Sequence, residues 1–465
     1  AAGSAPSFYN EAGDWEVWAL PKRGQTLEEA ERLLLDTVDH LKGGGFTDDD
    51  IRAVVTNFEV GEKMRLESNE ARVNFMADSF LRLEPWPETV GRLDRLRLVS
   101  KQDVLSVARK YLGPNRVAAY RRKATPELPN IAKPQFTKVD IGQSRASALA
   151  RLILTMPASP IEPRWLIEGR DYLSAQGPAG KLYAARNPFN DLFSLTFVFE
   201  RGSRQERALC AALSLLELSG AGDMTAEQFK KKLFGIGTNL AYNCGERESS
   251  VSLSGLNEHL WESLELMRLR FEKPRVDSET LKRMVDVAIG AHQDTKRDPQ
   301  AVYQALGDWA RHGKNSPVLA ELTDAELGAL KLDSLIKLIS SFPSFQRRTG
   351  YVGNRPLGEL AKLLEEGRRY QSPSARAPIK LLRPDSPRVV FTHRDMVQAQ
   401  VGLFAADETY DPLHSVDYSF LTNYLDGGMS SLLFQEIRET RSLAYAVWGG
   451  YHRAAHKGDD SELSS

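Results

Sequence analysis

Along the first fifty residues the apolar positions fall into two patterns. Glu16-Val17-Trp18-Ala19-Leu20 reads as a strand. After a turn over Pro21 to Gly24, Leu27, Ala30, Leu34, Val38 and Leu41 recur at helical spacing. Thr26-Leu27-Glu28-Glu29 is a capping box that opens this helix, and Gly43-Gly44-Gly45 stops it. The spacing predicts an amphipathic helix packed on a sheet. A longer helical region starts near Thr47-Asp48-Asp49-Asp50, and another starts at Ser100 and ends at Gly113-Pro114, before a predicted strand from Val117 to Tyr120.

The pattern then breaks. Pro126, Pro129, Pro134, Pro157, Pro160 and Pro163 punctuate a stretch in which only Ser144 to Leu154 has a helical pattern, which predicts an interdomain linker over 124–164. Beyond it, the apolar runs Leu182 to Arg186 and Leu192 to Phe199 flank Asn187-Pro188-Phe189-Asn190-Asp191 and predict a hairpin. Helices are expected at Glu206 to Leu218 and at Thr225 to Phe234, the second opened by Thr225-x-x-Gln228. Strands follow near Thr238 to Asn243 and Ser249 to Gly255, and three or four helices fill Asn257 to Phe342.

A weak internal echo aligns Val104, Val107, Tyr111, Arg116 and Tyr120 with Leu335, Leu338, Phe342, Arg347 and Tyr351, so related domains are expected to end alike. A second break at Gln371-Ser372-Pro373-Ser374-Ala375 precedes a strand from Arg388 to Thr392 and a helix near Val416 to Tyr424. The domain reading is a partial unit over 1–123, the linker over 124–164, a complete unit over 165–370 and a partial unit over 371–465.

Composition narrows the partners. A chain of 465 residues is too long for one ordinary core of ~100 to 200 residues, in agreement with several units. Sixty-one basic against sixty-two acidic residues give a net charge of -1, which provides no field for nucleic acid or anionic lipid. No apolar run approaches the ~20 residues of a membrane helix, so no membrane span is expected. The two cysteines, Cys210 and Cys244, have no zinc-ribbon spacing and read either as small buried hydrophobes or as one disulfide. Ala1 to Ser7 has neither the basic start nor the apolar segment of a signal peptide.

The densest pattern is Leu425-Asp426-Gly427-Gly428-Met429-Ser430-Ser431-Leu432-Leu433-Phe434-Gln435-Glu436-Ile437-Arg438-Glu439-Thr440-Arg441-Ser442-Leu443-Ala444-Tyr445. Gly427-Gly428 lacks the lysine and serine of a phosphate loop and reads as a turn before a helix, while Arg441 and Glu436 read as ordinary helix-surface pairs. The whole stretch resembles the C-terminal domain signature of the pitrilysin/insulinase zinc peptidases, whose active members carry H-x-x-E-H. Asn187 to Gly202 is similar to an opening hairpin of that family's domains, and Gly45 to Arg122 to the later part of one.

The resemblance implies an α+β fold of repeated two-layer domains, each a mixed or antiparallel sheet with helices packed on one face. It assigns Arg438 and Tyr445, seven residues apart, to one peptide carbonyl. A guanidinium and a phenol both donate hydrogen bonds, and both bind that oxygen more strongly as it gains charge, while zinc polarises it from the other side. It also implies four tandem domains closing like a clam on a peptide substrate that can add a strand to a sheet edge. The zinc motif would lie in the first domain and the Arg/Tyr pair in the fourth. Exported bacterial relatives imply a periplasmic or envelope location.

The zinc half is missing from the sequence. His40, His259, His292, His312, His393, His414, His452 and His456 never form H-x-x-E-H or H-E-x-x-H. Aligned on Thr225 to Phe229, the ligand positions fall near Ala211, Ser214 and Leu215, with the later glutamate near Gly290 or Ala291. His452-x-x-x-His456 lacks a glutamate between its rings and reads as solvated tail. The expectation is a segment that binds substrate, holds no zinc of its own and relies on a zinc half or a catalytic partner subunit outside this chain. The other reading is a non-catalytic scaffold or partner subunit.

Overall fold

The computed structural model describes residues 1–22, 24–122, 147–157, 162–364, 369–372, 378–409, 411–454, 456 and 458–465. The linker expected over 124–164 lies largely outside these residues, as do positions 373–375 of the second break. Of the helical pattern in Ser144 to Leu154, the described part forms the helix Ala148–Thr155, capped by Ser147.

The chain falls into two compact units, Ala1–Arg52 with Arg72–Asp171, and Ala53–Ala71 with Tyr172–Ser465. In the first, strands Ala2–Phe8 and Gly13–Ala19 pair antiparallel. Helix Leu27–Lys42 is opened by the Thr26/Glu29 capping box, and it packs against helix Lys101–Tyr111, which Ser100 and Asp103 cap in the same way. Val117 to Tyr120 forms no strand. Val117 is fully exposed, and Tyr120 and Arg122 reach back to Glu31 and Glu28 of the first helix, so side-chain contacts replace a backbone ladder.

The second unit is built on a six-stranded mixed sheet. Its order is Leu173–Gly177, Gly180–Arg186, Arg347–Gly353, Leu192–Phe199, Ser249–Leu256 and Asn239–Cys244. The expected hairpin between Gly180–Arg186 and Leu192–Phe199 is corrected here. Arg347–Gly353 inserts between them, parallel to the first and antiparallel to the second. The Asn187–Asp191 loop therefore spans a strand instead of closing a two-strand turn. Its polar side chains hold the helix that ends at Arg65: Glu67 Oε1 accepts from Asn187 and Asn190 amides at 3.1 and 2.9 Å, and Lys63 pairs with Asp191 at 2.7 Å.

Alternation along these strands separates the two faces. Phe193, Leu195, Phe197, Phe199, Val251, Leu253 and Tyr351 are buried, while Thr196 and Ser252 hydrogen-bond to each other on the opposite, half-exposed face. Helices Leu209–Leu218, Leu260–Glu272 and Leu332–Ser341 cover the apolar side with Leu213, Leu216, Leu264, Leu335 and Ile339. Each such fully buried side chain stabilises by roughly 1.5–3 kcal/mol, so this sheet is the firm part of the molecule. The α+β layering inferred from the resemblance is thus present. Of the internal echo, the helices recur, but only the second is followed by a strand.

A three-stranded antiparallel sheet closes the chain in the order Phe404–Thr409, Asp460–Ser464, Gly450–His452. Arg388 to Thr392 adds no strand to it. Val389 and Phe391 are exposed and no ladder partner lies beside them among the described residues, which overturns that expectation. Helix Ser415–Asp426 packs on the Gly450–His452 strand, with the Tyr418 and Tyr451 rings stacked 3.7 Å apart.

Candidate functional site

The dense motif begins where helix Ser415–Asp426 stops. The Gly427 N–H donates to the Asn423 carbonyl at 2.7 Å, and Gly428 takes a positive φ of 104°, which a glycine adopts without a Cβ penalty. Gly427-Gly428 is accordingly a helix end, as the missing lysine and serine imply.

The chain then enters a π-helical turn over Phe434–Glu439, in which the Thr440 N–H reaches back five residues to the Gln435 carbonyl at 2.9 Å. Such wide turns are uncommon and gather at functional sites. Ser442 follows with a left-handed φ of 50°. Its N–H donates to the Arg438 carbonyl at 3.1 Å, and the next N–H, of Leu443, reaches the Ile437 carbonyl at 3.0 Å. This is a Schellman-like reversal, widened by the π turn.

The reversal brings Tyr445 back over the helix end. The Arg438 guanidinium lies 5.1 Å from the Tyr445 ring centroid and 4.5 Å from the Phe434 ring centroid. Its Nε is 3.6 Å from a Glu439 carboxylate oxygen. Tyr445 is 85% exposed and the Arg438 side chain 38%, so both remain open to solvent. The structure therefore joins the two residues that the resemblance assigns to one carbonyl, and it adds an aromatic neighbour. Phe434 is not among the residues singled out in the sequence, although its spacing of four before Arg438 is a helical contact spacing. Arg441 donates to the Glu436 carbonyl at 2.7 Å and also bonds its carboxylate, an exposed pair that takes no part in the ring stack.

The surroundings are held by polar contacts. Asp426 accepts from the Gly449 N–H at 3.3 Å, and Thr422 Oγ1 from the Tyr451 N–H at 3.0 Å. The Tyr451 hydroxyl donates to Asp407 at 2.5 Å; desolvation, followed by that carboxylate, pushes its pKa well above the ordinary phenol value. These bonds tie the strand after Tyr445 to the helix before the motif.

The residues at the aligned zinc positions do not fit a metal. Ala211, Ser214 and Leu215 lie on helix Leu209–Leu218, and Leu215 is fully buried in the core. Gly290 and Ala291 lie on helix Ser278–Thr295, which packs against that helix and buries Leu281 and Val285 in the core. None of the five carries an imidazole, thiolate or carboxylate, and while Leu215 is core, Ser214 and Ala291 are exposed. Cys210 of the same helix is disulfide-bonded to Cys244 of the sheet-edge strand, which settles the open cysteine reading. Among the described residues no three His, Cys, Asp or Glu side chains gather as a metal site. His452 sits on a strand, so the helical face that His452-x-x-x-His456 requires does not exist. His292 Nδ1 lies 2.8 Å from Asp324, a pairing with no signal in the sequence pattern.

Comparison with known proteins agrees with the sequence signature. Residues 328–461, a span that includes Arg438 and Tyr445, match the family model described as the peptidase M16 inactive domain. Over 73 residues the chain is 41% identical to uncharacterized zinc proteases of Mycobacterium bovis and Mycobacterium tuberculosis, a stretch that is 16% of this chain and 17% of theirs. The match thus spans only a small part of the curated relatives' length. Among solved structures, a peptidase M16 inactive domain from Pseudomonas fluorescens superposes with a TM-score of 0.51 at 17% identity, covering 63% of this chain and 73% of that one. The periplasmic protease PqqL from Escherichia coli gives 0.53 at 16% identity, covering 94% of this chain and 51% of that one. At such identities the likeness is one of fold. Together with the family match it bears out the resemblance to the pitrilysin/insulinase-type peptidases.

Proposed function

Taking as premise the relation of this chain to the M16 peptidases, we propose that it is the metal-free part of a zinc metalloendopeptidase, in which Arg438 and Tyr445 grip the carbonyl of a substrate peptide. The guanidinium and the phenol donate hydrogen bonds to one oxygen. Both bonds strengthen as that oxygen becomes an oxyanion, so their effect falls on the transition state more than on the bound peptide. The zinc ligands belong to residues outside this chain, since the aligned positions Ala211, Ser214, Leu215, Gly290 and Ala291 carry no imidazole, thiolate or carboxylate. The observation that carries the reading is the contact of the Arg438 guanidinium with the Tyr445 ring at 5.1 Å on an exposed surface.

The substrate is an extended peptide enclosed between domains and paired with a sheet edge, and the compartment is the periplasm or cell envelope. A second reading, a non-catalytic scaffold or partner subunit, is supported by the same lack of ligand side chains at the aligned positions. The two are separated by whether the protein carries H-x-x-E-H upstream of these residues.

The test is kinetic, in the protein reconstituted with its zinc half. Arg438→Ala and Tyr445→Phe lower kcat by about 10²–10³-fold with zinc content unchanged. Full peptide hydrolysis by both variants would sink the assignment.

A further inference from the structure

We infer that Phe434 is a positioning residue that sets the Arg438 guanidinium for the peptide; this rests on the peptide-binding reading of Arg438 and Tyr445. A half-exposed arginine samples many rotamers, and presenting its donors to one carbonyl requires confining it. The manner of confinement matters. A carboxylate partner takes up the in-plane N–H groups, whereas an aromatic ring holds the cation by its face and leaves those donors free.

Arg438 is held in the second way. The Phe434 ring stands 4.5 Å from the guanidinium and the Tyr445 ring 5.1 Å from it, while the Glu439 carboxylate comes only within 3.6 Å of Nε, beyond hydrogen-bond length. Phe434 also has little else to do. It is only half-buried and belongs to neither hydrophobic core cluster, so its ring is not a keystone of the sheet packing. It sits at the start of the same π-helical turn, four residues before Arg438. Tyr445 is reached only through the reversal at Ser442, so Phe434 is the more constant of the two ring contacts.

Two measurements on this chain test the inference. A ring face over the guanidinium shifts the Arg438 Nε–Hε resonance upfield in a ¹⁵N-labelled sample, and Phe434→Leu abolishes that shift while Phe434→Tyr retains it. In fluorescence anisotropy with a fluorescein-labelled, unstructured decapeptide, Phe434→Leu weakens binding about 3- to 10-fold, and Phe434→Tyr restores it. An Arg438 resonance unmoved by Phe434→Leu overturns the inference. So does wild-type peptide affinity in Phe434→Leu when Arg438→Ala has lost binding. If Arg438→Ala itself binds as wild type, the peptide-binding reading fails, and with it the inference's premise, whatever the resonance shows.

Discussion

Arg247 and Asp459 form a two-point ion pair, Nη1 to Oδ2 at 2.5 Å and Nη2 to Oδ1 at 3.0 Å, with both side chains buried. Arg247 stands in the turn between two strands of the six-stranded sheet, and Asp459 immediately precedes the central strand of the three-stranded sheet. The pair therefore fastens the segment that carries the candidate site to the firm core. Removing one partner leaves a buried charge without its counterion, which typically costs about 3–5 kcal/mol. Arg247→Ala is expected to lower the urea midpoint by a corresponding amount, whereas replacing an exposed pair such as Arg441 and Glu436 shifts it little. An Arg247→Ala midpoint equal to wild type would show that the two sheets are held otherwise.

Acid weakens the same junction. Burial opposes the charge on Asp459 and Asp460, but bonds from Arg247 and the Ile379 N–H, and from Lys380 and the Leu381 N–H, outweigh it and hold both carboxyls below the ordinary range. Their folded pKa values lie below the unfolded value near ~3.9, so the stabilisation is complete above that pH and disappears as pH falls through the lowered values. The urea midpoint is expected to decline below about pH 4, and the Asp459→Asn, Asp460→Asn double variant to start lower with a shallower acid limb. Parallel acid limbs in the two proteins would contradict this.

The Cys210–Cys244 bond closes a loop across 34 residues between a core helix and the sheet-edge strand. Constraining a loop of that size in the unfolded chain is worth about 2–4 kcal/mol. Reductant is expected to lower the urea midpoint of the wild type and to leave a Cys210→Ala, Cys244→Ala variant, already at the lower value, unchanged. Equal midpoints for oxidised and reduced wild type would refute the contribution.

What could be read in the sequence was local. The boxes read at Thr26 and Thr225 both form as spaced, and the helix expected to start at Ser100 is capped by that residue. The apolar run Leu192 to Phe199 and the strand expected near Ser249 to Gly255 likewise form, the second extending to Leu256, because a strand is written in consecutive residues. The insertion of Arg347–Gly353 beside Gly180–Arg186 is not local: the strands are more than 160 residues apart, and the Asn187–Asp191 loop has turn chemistry whether or not a strand passes beneath it. Arg388 to Thr392 has strand composition but pairs with no neighbour among the described residues. The ring contacts of Arg438 depend on a π turn and a left-handed serine, neither of which leaves a periodic trace.

That serine gives the sharpest test of how the site is assembled. A left-handed φ costs an L residue with a Cβ about 1–2 kcal/mol, and Ser442 adopts 50° where glycine would be unstrained. The conformation persists because the N–H groups of Ser442 and Leu443 cap the carbonyls of Arg438 and Ile437, turning the chain so that Tyr445 lies over the guanidinium. Ser442→Gly is expected to keep the reversal, raise stability by up to about 1 kcal/mol and leave decapeptide affinity intact. Ser442→Val, β-branched and more costly at this φ, is expected to lose the reversal and release Tyr445. The readout is Tyr445 ring mobility by NMR alongside peptide anisotropy. If Ser442→Val left both as in the wild type, the Arg438 and Tyr445 contact would have to be maintained by something other than this turn.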